Sequence, residues 1–470
     1  MEEVEKVVEQ QESAYKTIID DYIEALDAQK HIVPISYNFL SAQLVTESKK
    51  LDKYGKKNGQ ILEEDGKQIV KMSIEHGIVY DKMQKNFHNI RRAYNMVGVN
   101  AVIGMVSKYD GFLGMLTKQL FKDKPEILNG SDKEFKASDI LTYSDFDELK
   151  DVLVEKEIET LLRKNHIEQL QWLENKLGMK QLRDFKALPD FVEIMERRNL
   201  FVHCNGVVSR QYLSECKKYG VNLPEDVKVG TRLGADINYV KNAHIVLFQV
   251  GVMLGFVLWH KIRPNEGEEM MDGLSDVPFE LIREGNYQLG MCIIDFALAN
   301  KSWENEIKYA QRLVFKVNKA LAYHLRDMQE ECEKIVNTLD ITAAEPVYHL
   351  AVAVLLKDYE WAYDIMDKIG KADRMRVNYK TWPLFAKIRQ EPAFIAKYKE
   401  IYNEEFECTD AKLSDFEDIL KTANEIMEMT QEMMSDKENS EEGDCQDAEI
   451  VEAEDTQQQL PDTPEEKTGE

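Results

Sequence analysis

Apolar positions recur along this chain at steps of three and four, the repeat of a helix face. The pattern opens at Val4, Val7 and Val8 and continues through Tyr15, Ile18, Ile19, Tyr22, Ile23 and Leu26. Pro34 is predicted to break it, with a second helix over 36–51 and a lysine-rich turn at Gly55 and Gly59. Helical spacing returns from Ile61 to Leu120, with breaks expected at Gly77 and near Gly98. The last part of that stretch sets Val102, Met105, Val106, Tyr109, Phe112, Leu113, Leu116 and Leu120 on one broad face, read as core. Gly104, Gly111 and Gly114 beside it are read as places where another helix comes close.

Residues 122–138 are polar, with Pro125 and Asn129-Gly130, and read as a loop before a short helix start at Ser138-Asp139-Ile140-Leu141. Ser144-Asp145-Phe146-Asp147-Glu148 has the spacing of an N-cap and opens a helix to about Asn165. A further helix, His166 to Leu177, is ended by Gly178. The next starts around Pro189 and loosens at Asn205-Gly206; Tyr212 and Leu213 restart order after the turn. Leu233 to Ile262 reads as one long, strongly apolar helix stopped before Pro264, and 264–276 reads as a linker. Paired helices are predicted beyond it, over 286–298, 303–315, 319–337, 347–355, 359–369 and 385–402. The turn Leu356-Lys357-Asp358, then Tyr359 and Ala362 as Tyr-x-x-Ala, points to a helix-turn-helix array. Residues 412–434 read as one more amphipathic helix. Past Ser435 the chain holds almost no large apolar residue and is predicted to be disordered.

Glycine and proline are sparse in the 470 residues and 43% of positions are hydrophobic, which supports an all-α reading. The length implies several domains: an N-terminal helical region (1–79), a helical bundle (80–263), a repeat-like domain (277–434) and an acidic tail (435–470). The formal net charge is -26, and the tail alone carries fourteen Asp/Glu against two Lys. An acidic body argues against binding nucleic acid over its whole surface. It leaves room for a local basic cleft, since 180–218 hold eight Lys/Arg against five Asp/Glu. The tail is either a solvating segment or an RNA mimic that restrains such a cleft. The six cysteines show no metal-site spacing, and neither a metal nor a cofactor is expected. No P-loop or dinucleotide fingerprint occurs. The acidic N-terminus is unlike a signal peptide, and the longest apolar run, Ile245 to Trp259, is interrupted by Gln249. A cytoplasmic protein without membrane contact is the expectation.

The chemistry concentrates in Glu196-Arg197-Arg198-Asn199-Leu200-Phe201-Val202-His203-Cys204-Asn205-Gly206. Arginine grips phosphate as a planar fork, and histidine moves protons near neutral pH. Five steps along a helix set Arg198 and His203 about 140° apart, so they share a site only where the helix loosens or where two chains meet. Arg197 competes with Arg198 for the phosphate role; Arg198 has the polar Asn199 after it. Cys204 has no base marked out for it as a thiol nucleophile.

Arg198, four intervening residues and His203, with the Asn205-Gly206-Val207-Val208 continuation and Tyr212-Leu213, resemble the HEPN superfamily of helical bundles over about 80–263. The C-terminal third is loosely similar to tetratricopeptide arrays. The HEPN resemblance implies a metal-independent endoribonuclease acting as a homodimer with two motifs facing one cleft. On that resemblance Arg198 would hold the scissile phosphate, His203 would act as general acid or base, and Asn199 would position one of them. RNA would be the partner, with Arg197, Arg210, Lys217 and Lys218 as contacts, and the C-terminal helices would dock a protein in a stress or phage-defence setting. The acidic body supports a second reading, a non-catalytic scaffold that dimerises or binds a nucleotide and captures a protein.

Overall fold

The computed structural model describes residues 12–407, apart from 65–66, 132, 136–139, 141–142, 180–181, 183–184, 301–302 and 304–306. The readings on Val4, Val7 and Val8, on helix 412–434 and on the acidic tail lie outside the described residues, as does most of the helix start at 138–141.

The described chain is predominantly helical, as the apolar spacing implies. Helix α1 (Ala14–Asn58) runs out and α2 (Ile74–Asp123) runs back beside it. A small antiparallel pair, β1 (Gly59–Glu64) with β2 (Lys67–Met72), joins them, with Ile61 opposite Val70 and Leu62 opposite Ile69. These strands fall where helix was expected. The apolar runs flank Asp65-Gly66 in the sequence, a strong hairpin signal that outweighs a weak helical period.

The break at Pro34 does not occur: α1 passes through it without interruption. An internal proline costs a helix about 3 kcal/mol. Tyr15, Ile19, Tyr22, Leu26, Val33 and Tyr37, all buried along one face of α1, more than offset it. Nor does α2 break at Gly77 or Gly98. Gly98 is where α2 meets the segment before α7, since a Cβ there would lie 1.9 Å from the carbonyl oxygen of Ala235. The glycines first credited with close approach do not serve it, for Gly111 has open space and Gly104 and Gly114 have only ordinary contacts.

Four further helices follow, α3 (Phe146–Leu162), α4 (His166–Leu177), α5 (Leu188–His203) and α6 (Arg210–Lys218). Asp145 and Asn165 cap α3 and α4 through their side chains, and the left-handed Gly178 closes α4. Helix α7 (Ile237–Ile262) is the central strut, packed against α1, α2 and α5. It is long and apolar enough to cross a membrane, yet 72% of its most apolar window is buried inside the protein.

The expected linker is corrected. Pro264–Glu266 is a tight turn, and 267 onward is helix α8 (Gly267–Arg283), with Met270, Met271 and Leu274 fully buried. The turn is fastened: Arg263 donates to Asp123 at 2.6 Å and to Glu266 at 2.7 Å, and Glu266 also accepts from Trp259 and Ser13. One buried cluster then continues from Tyr15 to Ile401.

Helices α9 (Tyr287–Ala299), α10 (Tyr309–Leu325), α11 (Gln329–Val336), α12 (Pro346–Leu355), α13 (Tyr359–Ile369), α14 (Asp373–Thr381) and α15 (Pro392–Tyr402) complete the fold. The pairs α8/α9, α10/α11 and α12/α13 close alike. Each turn has one left-handed residue, Gly285, Asp327 or Lys357, and the next N–H returns to the carbonyl five residues back. The helices expected over 303–315 and 319–337 are therefore displaced; the chain turns at Asp327, inside the second of them. Helix α14 was not foreseen, and short turns at Pro383–Phe385 and Ile388–Gln390 take up the start of 385–402, so that α15 begins only at Pro392.

His324, near the end of α10, is buried, and neither ring nitrogen has a hydrogen-bond partner among the described residues. Burial first, then Lys387 and Lys357, push its pKa down to about 4. The unfolded chain, with an imidazole near pH 6.5, binds a proton that the folded chain refuses. This contribution is complete above pH 6.5 and is lost as pH falls toward 4, by about 3 kcal/mol in all. Urea midpoints measured from pH 7 to 4 are expected to fall less steeply in His324→Phe than in the parent; equal slopes would remove His324 as the cause.

Candidate functional site

Helix α5 carries the candidate residues because Pro189 starts it in the position a proline favours and Phe191, Val192, Ile194, Met195 and Leu200 bury its inner side. It ends at Cys204, where Asn205 (φ 50°) and Gly206 (φ 75°) both turn left-handed. At Gly206 a Cβ would lie 2.6 Å from the carbonyl oxygen of Leu233, so the chain turns there because that residue is glycine.

Arg198 points toward α2. Its Nη2 donates to Asp110 Oδ2 at 3.2 Å and its Nη1 to Asn199 Oδ1 at 3.2 Å, while its Nε is buried without a hydrogen bond. The other oxygen of Asp110 lies 3.0 Å from His166 Nε2, at the first turn of α4. Three helices thus converge on an Arg198–Asp110–His166 chain. Neither Asp110 nor His166 was picked out from sequence. The available sign was that Asp110 is the one carboxylate between Asp81 and Asp123. Glu196 lies beside this group, and burial, then repulsion from Glu215, raise its pKa; His166 and a hydrogen bond from Asn199 work the other way.

His203 is exposed at the C-terminal end of α5 and makes no side-chain hydrogen bond with any described residue. Arg198 turns inward and His203 outward, as the 140° separation implies. The fold of one chain does not bring the two into contact.

Arg197, expected to contact RNA, is committed inside the protein. Its Nε donates to Glu193 at 2.6 Å, its Nη1 donates to the carbonyl of Gly234 at 3.1 Å, and its guanidinium lies 4.1 Å from the centre of the Tyr239 ring. Glu193 is buried and also accepts from Tyr212 and Tyr239, at 2.6 and 2.7 Å. Burial opposes the charge on Arg197, but Tyr239 and Glu193 outweigh it and raise the pKa. Burial and then Glu193 push the nearby Cys216 thiol up to about 12, which leaves it inert. Arg210 and Lys217 are exposed on α6, and Lys218 is paired with Glu215 at 3.2 Å. These cations do not merge into one unpaired basic surface, because Arg197, Arg198 and Lys218 each have a carboxylate partner. No group of His, Cys, Asp and Glu among the described residues has the arrangement of a metal site.

No protein family, no characterised protein and no solved structure matches the chain.

Proposed function

We propose that the chain is a metal-independent endoribonuclease of the HEPN type, acting on single-stranded RNA in the cytoplasm as a homodimer in stress or antiviral defence. One observation carries the reading. The same helix holds a guanidinium tethered on one side by Asp110 and Asn199 and, five residues on, an exposed imidazole with no internal partner. A second copy supplies what one chain lacks, an Arg198 facing a His203. There Arg198 steadies the negative charge that gathers on the phosphate oxygens. His203 takes the proton of the ribose 2′-hydroxyl, or returns one to the leaving 5′-oxygen. The 2′-oxygen bonds to phosphorus as the 5′-oxygen departs, leaving a 2′,3′-cyclic phosphate and a 5′-hydroxyl. DNA lacks the attacking group.

Labelled single-stranded RNA in EDTA tests this. Arg198→Ala and His203→Ala are each expected to slow cleavage by about 10²–10⁴-fold. Mixing the two variants is expected to restore part of the rate, because one composite site in the mixed dimer keeps both groups. Equal cleavage by parent and variants removes the assignment, and a mixture no better than either variant removes the sharing between copies.

The Arg198–Asp110 ion pair favours the second reading, a scaffold whose C-terminal helix pairs capture a protein. A phosphate must displace that carboxylate before Arg198 can hold it. Loss of all cleavage, with partner capture kept, would select the scaffold.

A further inference from the structure

The outer part of the α1–α2 hairpin differs from the rest of the protein. Of the residues between Phe39 and Val97 whose burial is described, which leaves out 61–70, only Gly55 is buried. This arm holds eleven Lys/Arg against seven Asp/Glu, in a chain that holds 60 against 86. Part of its positive charge is committed, Lys50 to Glu47 and Lys56 to Asp52, but much of it is not. Lys49, Lys57, Lys82, Lys85, Arg91 and Arg92 are exposed and make no ion pair with any described residue. Three of them share one face. Lys82, Lys85, Asn89 and Arg92 fall at steps of three and four on α2, all exposed, and Lys49 and Lys57 stand exposed on α1. Successive members of the α2 row are therefore separated by about 4.5–6 Å of helix rise. The hydrogen bond from Asn86 to Glu47, at 3.0 Å, and the closeness of Tyr80 to Gly55 put Lys82 and Lys85 level with the stretch of α1 between Glu47 and Gly55 that carries Lys49.

We propose that this arm is an RNA-binding limb whose unpaired cations, the α2 row above all, grip the phosphate backbone. An acidic body repels a polyanion, so the limb is where one can settle. Two other occupants compete. A second copy of the arm, laid against the first by a two-fold axis, sets the unpaired cations against each other, which is unfavourable. An acidic polypeptide would satisfy the lysines and would also cover exposed apolar residues at the ends of the limb, such as Ile35, Phe39 and Ile78. The limb does not need the ribonuclease reading; a chain that only holds RNA would carry it equally.

The test is fluorescence anisotropy of the full chain with a labelled 20-nucleotide single-stranded 2′-O-methyl RNA, which lacks the attacking hydroxyl. Binding then reads separately from cleavage, and failure of one leaves the other standing. The parent is expected to bind at low salt, with affinity falling as salt rises by about 0.7 log units per tenfold salt for each phosphate held. The variant Lys82→Glu/Lys85→Glu/Arg92→Glu is expected to bind at least tenfold more weakly, with a flatter salt dependence. Glutamate at exposed helix positions keeps the helix, which circular dichroism checks. A charge-matched reversal elsewhere, Lys334→Glu/Lys368→Glu/Lys371→Glu, is expected to change affinity much less. The proposal is overturned by an absence of binding at low salt, by equal losses in the two variants, or by poly-glutamate displacing the RNA as well as unlabelled RNA does. That last outcome would assign the limb to an acidic polypeptide.

Discussion

Glu193→Ala is expected to destabilise the protein by about 3–5 kcal/mol, the range for removing one member of a buried ion pair. Its carboxylate accepts from Arg197, Tyr212 and Tyr239 at 2.6–2.7 Å, and its side chain is only 10% exposed. Truncation leaves a guanidinium with 14% of its side chain exposed and without its anion, and leaves two phenol groups without their acceptor. The Gly234 carbonyl and the Tyr239 ring cannot replace a full negative charge. Removing both ions should cost less than removing the acid alone, since no uncompensated charge remains. Urea unfolding of Glu193→Ala, Arg197→Met and the double variant checks this through a cycle. A loss under about 1 kcal/mol in Glu193→Ala, or strict additivity in the double variant, would mean that water reaches the pair and that it carries little. The same result bears on function. If Arg197 is structural, Arg198 is the remaining arginine of the motif able to meet a phosphate.

What the sequence revealed depended on whether a boundary was written locally. Helix α4 was legible to the residue because Asn165 caps it and Gly178 ends it, each by its own side-chain or backbone chemistry. Helix α13 was legible for the same reason, with Asp358 accepting from the N–H of Trp361. Boundaries decided by distant packing were not legible. Nothing near Pro34 states that α2 and α7 lie along α1 and keep it unbroken. Nothing in the glycine-rich and acidic stretch 264–276 states that Asp123 fastens its start. The candidate site divides in the same way. Arg198, Asn199 and His203 stand together in the chain, but Asp110 lies 88 residues from the arginine it binds. Only the crossing of α2, α4 and α5 brings it there. Arg197 and Arg198 look interchangeable in sequence. A single step of about 100° around α5 separates them into an internal tie and a candidate phosphate contact, because Glu193 lies four residues before the first and not the second.

Gly98→Ala is the sharpest test of how the arm is seated. Alanine is the better helix former by about 1 kcal/mol, so propensity alone expects stabilisation. The opposite is expected here. The new Cβ would lie 1.9 Å from the carbonyl oxygen of Ala235 and 2.6 Å from the hydroxyl of Tyr37. The carbonyl cannot step aside freely, because Tyr37 donates to it at 3.0 Å and the next residue, Asp236, caps α7 through the N–H of Tyr239. Moving that segment also disturbs Gly234, whose carbonyl holds Arg197. A net loss of about 3 kcal/mol is expected, at the upper end for overpacking. Gly111→Ala is the control. It lies in the same helix, is exposed and has nothing within 4 Å of its Cβ position. There the propensity gain should survive, with a rise of up to about 1 kcal/mol. Chemical denaturation of the two variants decides between local preference and contact. Should both substitutions stabilise, α2 does not touch the Ala235 strap this closely, and the link between the arm's base and the helix bearing Arg198 and His203 is lost with it.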